Sequence, residues 1–208
     1  MVKVQAPAMS LEASGSLGGA MVFSKWKGRP YVRSLVRPAN PKSGGQVGVR
    51  SSFKFISQNW AAIIAGSKAT WEDRADQGVF STFNAYMSYN AARWRDFLAP
   101  SQHYPAEATD TPATVGSITA VAGIRSATLT IPISTAADGW GIMAFRSTSS
   151  GFSTAFDNLI GSGLIVGTAD VVIVDTPLVA DTYYYNFREF TIDGQLGAEE
   201  GEETVVIT

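Results

Sequence analysis

Few residues in this chain are equipped for chemistry. His103 is the sole histidine and there is no cysteine. A Ser-His-Asp hydrolase, a thiolate zinc site and a cysteine nucleophile therefore lack their parts. His103 lies between Gln102 and Tyr104 in a Pro-flanked stretch, and no Gly-x-Ser-x-Gly elbow presents a nucleophile. It reads as an exposed connector histidine. Gly161-Ser162-Gly163-Leu164-Ile165-Val166-Gly167 has the glycines of a dinucleotide loop but not their spacing. The expectation there is a glycine-bearing loop between strands. Glu199, Glu200, Glu202 and Glu203 lack the alternating Asp/Asn spacing of a calcium loop. They read as a solvated acidic turn ahead of a last strand. No catalytic residue, cofactor or metal is expected, and the chain reads as non-enzymatic.

One set of side chains does carry a chemistry. Lys25, Lys27, Arg29, Arg33, Arg37, Lys42 and Arg50 cluster near the front, interleaved with Trp26 and Tyr31. Guanidinium groups grip carboxylates bidentately. The same cations suit phosphates, with aromatic rings beside them for bases. The candidate assembly contacts are Lys25, Trp26, Lys27, Arg29, Tyr31, Arg33, Arg37 and Arg50, with Lys25 and Arg33 expected on one face of a hairpin. Nucleic acid ranks below protein as the partner, because the attached domain is acidic and no nucleic-acid fold is recognisable. Phe83, Tyr86, Tyr89 and Trp94 read as core. Of Tyr183, Tyr184 and Tyr185, consecutive on a strand, at least one must face out.

The elements that must position these residues follow from composition. The chain has 208 residues, 45% apolar and only 16% charged, with a net charge of -2. Charge usually takes about a quarter of a sequence, so much of this surface is suited to being covered. The net value hides a gradient. Residues 1–50 hold eight Lys/Arg and one Glu, giving +7, whereas residues 151–208 hold one Arg against ten acids, giving -9. Such a chain can meet copies of itself head to tail, or set its front against an acidic partner. Gln5, Pro7, Ser10 and Glu12 interrupt any secretory h-region, and no apolar run is long enough to span a membrane. Synthesis in the cytoplasm is expected, with no membrane partner.

Texture divides the chain into four. Residues 1–45 predict an extended arm or β-hairpin, with Met21–Ser24 and Pro30–Val36 extended around a Lys27–Pro30 turn and a break at Pro38-Ala39-Asn40-Pro41. Poor in apolar content, this arm must order against something else. Residues 46–99 predict three short helices. Phe53, Ile56, Trp60, Ile63 and Ile64 share a face, Gly66-Ser67 ends the first helix, and Thr70 caps the second. Ser81 or Thr82 starts the third, and Pro100 stops it. Residues 100–112 read as a linker. Residues 113–208 hold roughly seven short strands, the arithmetic of an immunoglobulin-like sandwich. The fold class is α+β, mainly β.

Two resemblances follow from particular residues. Residues 108–208 resemble a fibronectin type III domain. Trp140 leads an alternating strand ending in Phe145-Arg146-Ser147, and Leu178 with Tyr184 six residues on resembles the tyrosine corner. Leu129 and Ile131 stand where that family usually carries a tryptophan. Residues 15–98 resemble a family of small structural proteins of tailed bacteriophages and prophages. That likeness rests on Gly18-Gly19, Val22-Phe23-Ser24, Tyr31-Val32-Arg33, Val36, Pro38, Asn40-Pro41, Gln46, Val49-Arg50, Phe53, Trp60 and Trp71. Its departures are Gly66-Ser67-Lys68-Ala69-Thr70 at the second helix and a lone Gln46 between glycines at the first.

The second resemblance implies a virion structural protein with other virion proteins, and copies of itself, as partners. Arm plus sandwich suits an auxiliary capsid position as a cement, decoration or vertex protein. A neck or tail position is the nearest alternative. Two other classes stay open, a nucleic-acid packaging protein using the basic front and a host-surface carbohydrate-binding module using the sandwich loops.

Overall fold

The computed structural model describes residues 2–3, 14–37, 43–78 and 80–208. The chain divides into two compact units, Met1–Pro41 and Lys42–Thr208. The Pro38–Pro41 break and Lys42 lie outside the described residues.

The first unit is a four-stranded antiparallel sheet of β1 (Val2–Lys3), β2 (Gly15–Leu17), β3 (Met21–Trp26) and β4 (Arg29–Ser34), in the order β1-β4-β3-β2. The expected hairpin is its centre, β3 and β4. Lys27 at φ 48° and Gly28 at φ 77° close it. Positive φ at both central positions is the two-residue hairpin turn whose twist matches the strands. Gly18 and Gly19, at φ 57° and 69°, turn β2 into β3.

The second unit opens with α1 (Gly44–Asn59), a 3-10 turn (Trp60–Ala62), α2 (Ala65–Ala69), α3 (Glu72–Gly78) and α4 (Thr82–Arg95). The first helix ends earlier than its apolar face suggested. Ile63 is buried, but Ile64 is 70% exposed, and Gly66-Ser67 lie inside α2 rather than ending α1. Thr70 does not cap α3. Its hydroxyl donates to the Ser67 carbonyl at 2.7 Å and accepts from the Tyr104 amide at 2.8 Å. Ser81 does cap α4, accepting from the Asn84 amide at 3.2 Å.

The strands that follow are β5 (Thr114–Val115), β6 (Thr119–Gly123), β7 (Ser126–Ile131), β8 (Ile133–Thr135), β9 (Gly139–Ser147), β10 (Leu159–Leu164), β11 (Val171–Asp175), β12 (Asp181–Thr191) and β13 (Glu200–Ile207). One sheet runs β10-β9-β12-β13 and faces another running β11-β7-β6, while β5 and β8 form a small separate ladder. This is an immunoglobulin-like β-sandwich. Its core holds Leu129, Ile131, Ile142, Val171, Ile173, Tyr185, Phe187 and Val205. Leu129 and Ile131, at 0% exposure, do the filling expected of the absent tryptophan.

The helices have no core of their own. Phe55, Ile56, Trp71, Tyr86 and Trp94 form one cluster with Trp140, Met143, Phe145, Leu159 and Phe190 of the sandwich. The four-stranded sheet is therefore covered on both faces. That is why β9 is buried from Trp140 through Phe145 instead of alternating apolar with polar. The close approach needs a glycine notch. A Cβ at Gly141 would stand 2.8 Å from the Phe55 ring and 2.6 Å from the Phe190 ring. Edge-on stacking of Phe55 on Trp94, Trp140 and Phe190, at centroid distances of 5.7, 5.2 and 5.2 Å, fills the notch.

The expected linker at 100–112 and the separation of residues 46–99 from 113–208 are thus corrected: one core spans both. The connecting segment is itself pinned. Asn90 bonds Ser101 in both directions at 2.9 and 2.7 Å, and the Trp71 indole donates to the Gln102 carbonyl at 2.9 Å. Such pairing leaves those buried backbone groups satisfied, as burial requires.

Candidate functional site

Directly opposed residues of an antiparallel pair share a face, so register sorts the candidate contacts. In the β3–β4 ladder Val22 opposes Arg33, Ser24 opposes Tyr31, and Trp26 opposes Arg29. Those six share one face. Met21 with Ser34, Phe23 with Val32, and Lys25 with Pro30 share the other, joined there by Leu17 of β2, which opposes Met21. The sheet therefore has a cationic-aromatic face and an apolar face. Lys25 and Arg33, expected together, lie on opposite faces, because Lys25 opposes Pro30 and Arg33 stands three residues, an odd number, along β4 from Pro30.

Lys27 sits in the turn with its ammonium 4.9 Å from the Trp26 ring centroid, within cation–π range. Arg37 follows β4 and is exposed. Arg50 belongs to the second unit, on α1. The structure thus brings together Trp26, Arg29, Tyr31 and Arg33, with Lys27 at the turn. Leu17 and Met21 complete the apolar face and were missed in the sequence. Met21 alternates with Phe23 directly, whereas Leu17 is cut off from that pattern by the Gly18-Gly19 turn.

Not one residue from 14 to 37 is buried, and Trp26 is 65% exposed, Leu17 56% and Met21 42%. No Asp or Glu occurs among residues 14–37. A two-faced sheet of this size without a core is a marginal structure. It can offer an apolar surface to a hydrophobic partner, and Arg29 and Arg33 with Lys27 and Arg37 to carboxylates or phosphates.

The second unit's polar groups are occupied structurally. Arg146 of β9 donates to both carboxylate oxygens of Asp175 at 2.9 and 2.7 Å, and the Tyr185 hydroxyl donates to the same carboxylate at 3.0 Å. This ties β9, β11 and β12 at one end of the sandwich. Burial, and then the Asp175 charge, raise the Tyr185 phenol above its ordinary range. The tyrosine corner is made by Tyr183, whose hydroxyl donates to the Val179 carbonyl at 3.2 Å, and not by the half-buried Tyr184.

Three further expectations change. Gly161–Leu164 is not a loop but most of β10, where a Cβ at Gly163 would stand 2.2 Å from Val171 Cγ1. The glycines let the two sheets close at that edge. The acids at 199–203 are solvated, with Glu199 and Glu202 exposed, but Glu200, Glu202 and Glu203 lie in β13 and not in a turn ahead of it. Glu199 accepts from Asn186 at 2.6 Å and Thr154 at 2.8 Å, and Glu202 accepts from Ser150 and Gly151, both at 2.6 Å, stitching the 148–154 loop to β13. His103 is half-buried, its amide donating to the Ser101 hydroxyl at 3.2 Å.

Asp193 is the most connected acid. It accepts from the Thr109 and Asp110 amides, the latter at 2.8 Å, and from the Thr191 hydroxyl and the Gln195 amide. Burial pushes its carboxyl up, but these donors outweigh burial and hold it down to about 2. Phe83, Tyr86, Tyr89 and Trp94 are core or core rim, as read from the sequence. The most exposed large apolar side chains of the sandwich, such as Ile124 and Val166, are aliphatic. Among the described residues no three His, Asp or Glu side chains converge as a metal site, and no helix is long and apolar enough to cross a membrane.

No family model matches the chain, and no curated protein does. Among solved structures it is similar to a Fn3-like protein from Clostridium thermocellum, at 21% identity and a TM-score of 0.36, covering 49% of this chain and 96% of that one. It is also similar to the PKD domain of an M14-like peptidase from Thermoplasmatales archaeon SCGC AB-540-F20, at 16% identity and a TM-score of 0.30, covering 48% and 97%. Residues 113–208 form a fibronectin type III-like domain. Apart from the small β5–β8 ladder, β6, β7 and β11 form one sheet of it and β9, β10, β12 and β13 the other.

Proposed function

We propose that this chain is a non-enzymatic structural protein of a tailed-bacteriophage virion. Its N-terminal sheet attaches it, and its helix-backed sandwich is displayed. The observation that carries this reading is the contrast between the two units. One has a dense core, and the other presents an apolar face and a cationic-aromatic face with nothing buried between residues 14 and 37. Such a sheet gains its stability from what it binds, so ordering and attachment are linked. The resemblance of residues 15–98 to phage structural proteins supplies the kind of partner, and repetition over a symmetric particle multiplies modest contacts.

Within the virion an auxiliary capsid position is preferred, as cement, decoration or vertex protein, with neck or tail as the alternative. Electron cryo-microscopy of the particle tests both. Density for the sandwich projecting from the shell, with the hairpin against capsid protein, is the expected result; a particle without the chain contradicts the reading.

A second reading rests on the face shared by Trp26, Arg29, Tyr31 and Arg33, which fits single-stranded nucleic acid. It predicts binding whose affinity falls steeply with salt. No binding of an oligonucleotide at 20 mM salt disposes of it (a low-salt choice of about a 20 Å Debye length).

A further inference from the structure

The cationic-aromatic face of the N-terminal sheet carries charge of one sign. Arg29 and Arg33 stand on it and are exposed, and exposed Arg37 follows β4. None of these arginines makes an ion pair among the described residues. A strand rises about 3.3 Å per residue, so Arg29 and Arg33 stand about 13 Å apart, with Tyr31 between them.

The opposite charge lies along β13 of the second unit. Glu199, Glu200, Glu202 and Glu203 fall within a comparable length of chain, and among the described residues no Lys or Arg forms an ion pair with them. The groups that donate to Glu199 and Glu202 are neutral (Asn186, Thr154, Ser150 and the Gly151 amide), so both keep their full charge. The Glu200 and Glu203 carboxylates take no part in that stitching. β13 pairs only with β12 and ends its sheet. Gly201 at φ 52° and the register shift between Tyr185 and Phe187 bulge this edge. A bulged, charged edge resists pairing with another strand, which leaves its side chains as the means of contact. Beyond the acids, Thr204 and Val206 are exposed and uncharged, Val206 at 58%.

We infer that the cationic-aromatic face of one copy docks on β13 of a second copy, head to tail. Arg29 and Arg33 meet the glutamates, and Trp26 and Tyr31 rest on Thr204 and Val206. Charge complementarity selects this occupant. Guanidinium forks hold carboxylates bidentately. A nucleic acid would gain the same cations but meet the repulsion of a chain whose residues 151–208 sum to -9. A contact between two different surfaces leaves one of each open at the ends, so it propagates into a ring or a filament. The inference rests on the reading that the N-terminal sheet attaches the chain. It assigns the two faces separately: the apolar face to another virion protein, the cationic face to the next copy.

Sedimentation velocity of the full chain tests this. The chain should associate in the micromolar range at about 0.1 M salt and come apart at about 1 M, where the Debye length falls from ~10 Å to ~3 Å. A front-reversed variant, Arg29→Glu with Arg33→Glu, should associate at least tenfold more weakly. So should a back-reversed variant, Glu200→Lys with Glu203→Lys, which spares the contacts of Glu199 and Glu202. Mixed in equal amounts, the two should associate again, because each offers the charge the other lacks. That rescue also shows that both variants fold. A chain that stays monomeric at millimolar concentration overturns the inference, as does association that the back reversal leaves unchanged or mixing fails to restore. An oligonucleotide bound through Arg29 and Arg33 by a chain that does not self-associate overturns it too, making nucleic acid the partner of that face. Attachment is read separately, from incorporation into particles. A chain that never self-associates yet is incorporated sinks the inference and leaves attachment standing. One that associates as expected yet is missing from particles upholds the inference and sinks attachment.

Discussion

Glu189 and Asp193 are buried to similar degrees, at 5% and 2% exposure, yet they pull stability in opposite directions. Asp193 is surrounded by donors, so its folded pKa falls to about 2. A lowered carboxylate contributes stability that is full above the ordinary value near 4 and fades as pH drops toward 2. The expected contribution is about 2 kcal/mol. In Asp193→Asn the acid limb of a pH-stability curve should flatten and the neutral plateau fall; an unchanged acid limb contradicts the assignment. Glu189 has an oxygen without a hydrogen-bond partner, and burial raises its carboxyl above the usual range. Its ionisation therefore costs stability, increasingly as pH rises above about 4. Glu189→Gln should raise the melting temperature at pH 7 and change it less at pH 4. A lower melting temperature at pH 7 means the carboxylate has a partner after all.

Among elements, the notch at Gly141 couples α1 to the sandwich. Gly141→Ala forces a methyl into the Phe55 and Phe190 rings, and overpacking of this kind costs about 1–3 kcal/mol. Chemical denaturation should show one transition at lower midpoint, because helices and sandwich share a core. Two transitions would restore the separation that the sequence suggested. How far the sequence spoke is clear from β9. Its strand was legible from Gly141 to Phe145, and so were the hairpin turn at Lys27-Gly28 and the Ser81 cap, all local signals. What covers β9's second face was not legible, since two-faced burial depends on helices many residues upstream. The unbroken run Trp140–Phe145 was the available clue. The tyrosine corner slipped by one residue for a related reason: with three tyrosines in a row, strand parity and not spacing chooses which hydroxyl reaches Val179.

For the whole molecule, the charge gradient coincides with the division into two units. The basic front, in which no residue from 14 to 37 is buried, has apolar residues to cover, and the acidic back spends Glu199 and Glu202 on its own loop. The candidate site was legible as a residue set and not as a surface, because register decides which of Lys25, Trp26, Arg29, Tyr31 and Arg33 stand together. Limited proteolysis of the free chain should cut within the first unit and leave a resistant fragment near residues 42–208. Cleavage first inside residues 100–112 would argue that this segment is loose.

Attachment through a sheet that is stabilised by its partner is most directly tested by hydrogen exchange of residues 14–37, in the free chain and in the assembled particle. Segments without buried contacts open at little cost, so these amides should exchange rapidly in the free chain and be strongly protected in the particle, while residues 126–191 stay protected in both. Equal exchange of residues 14–37 in the two states, fast or slow, would contradict the account.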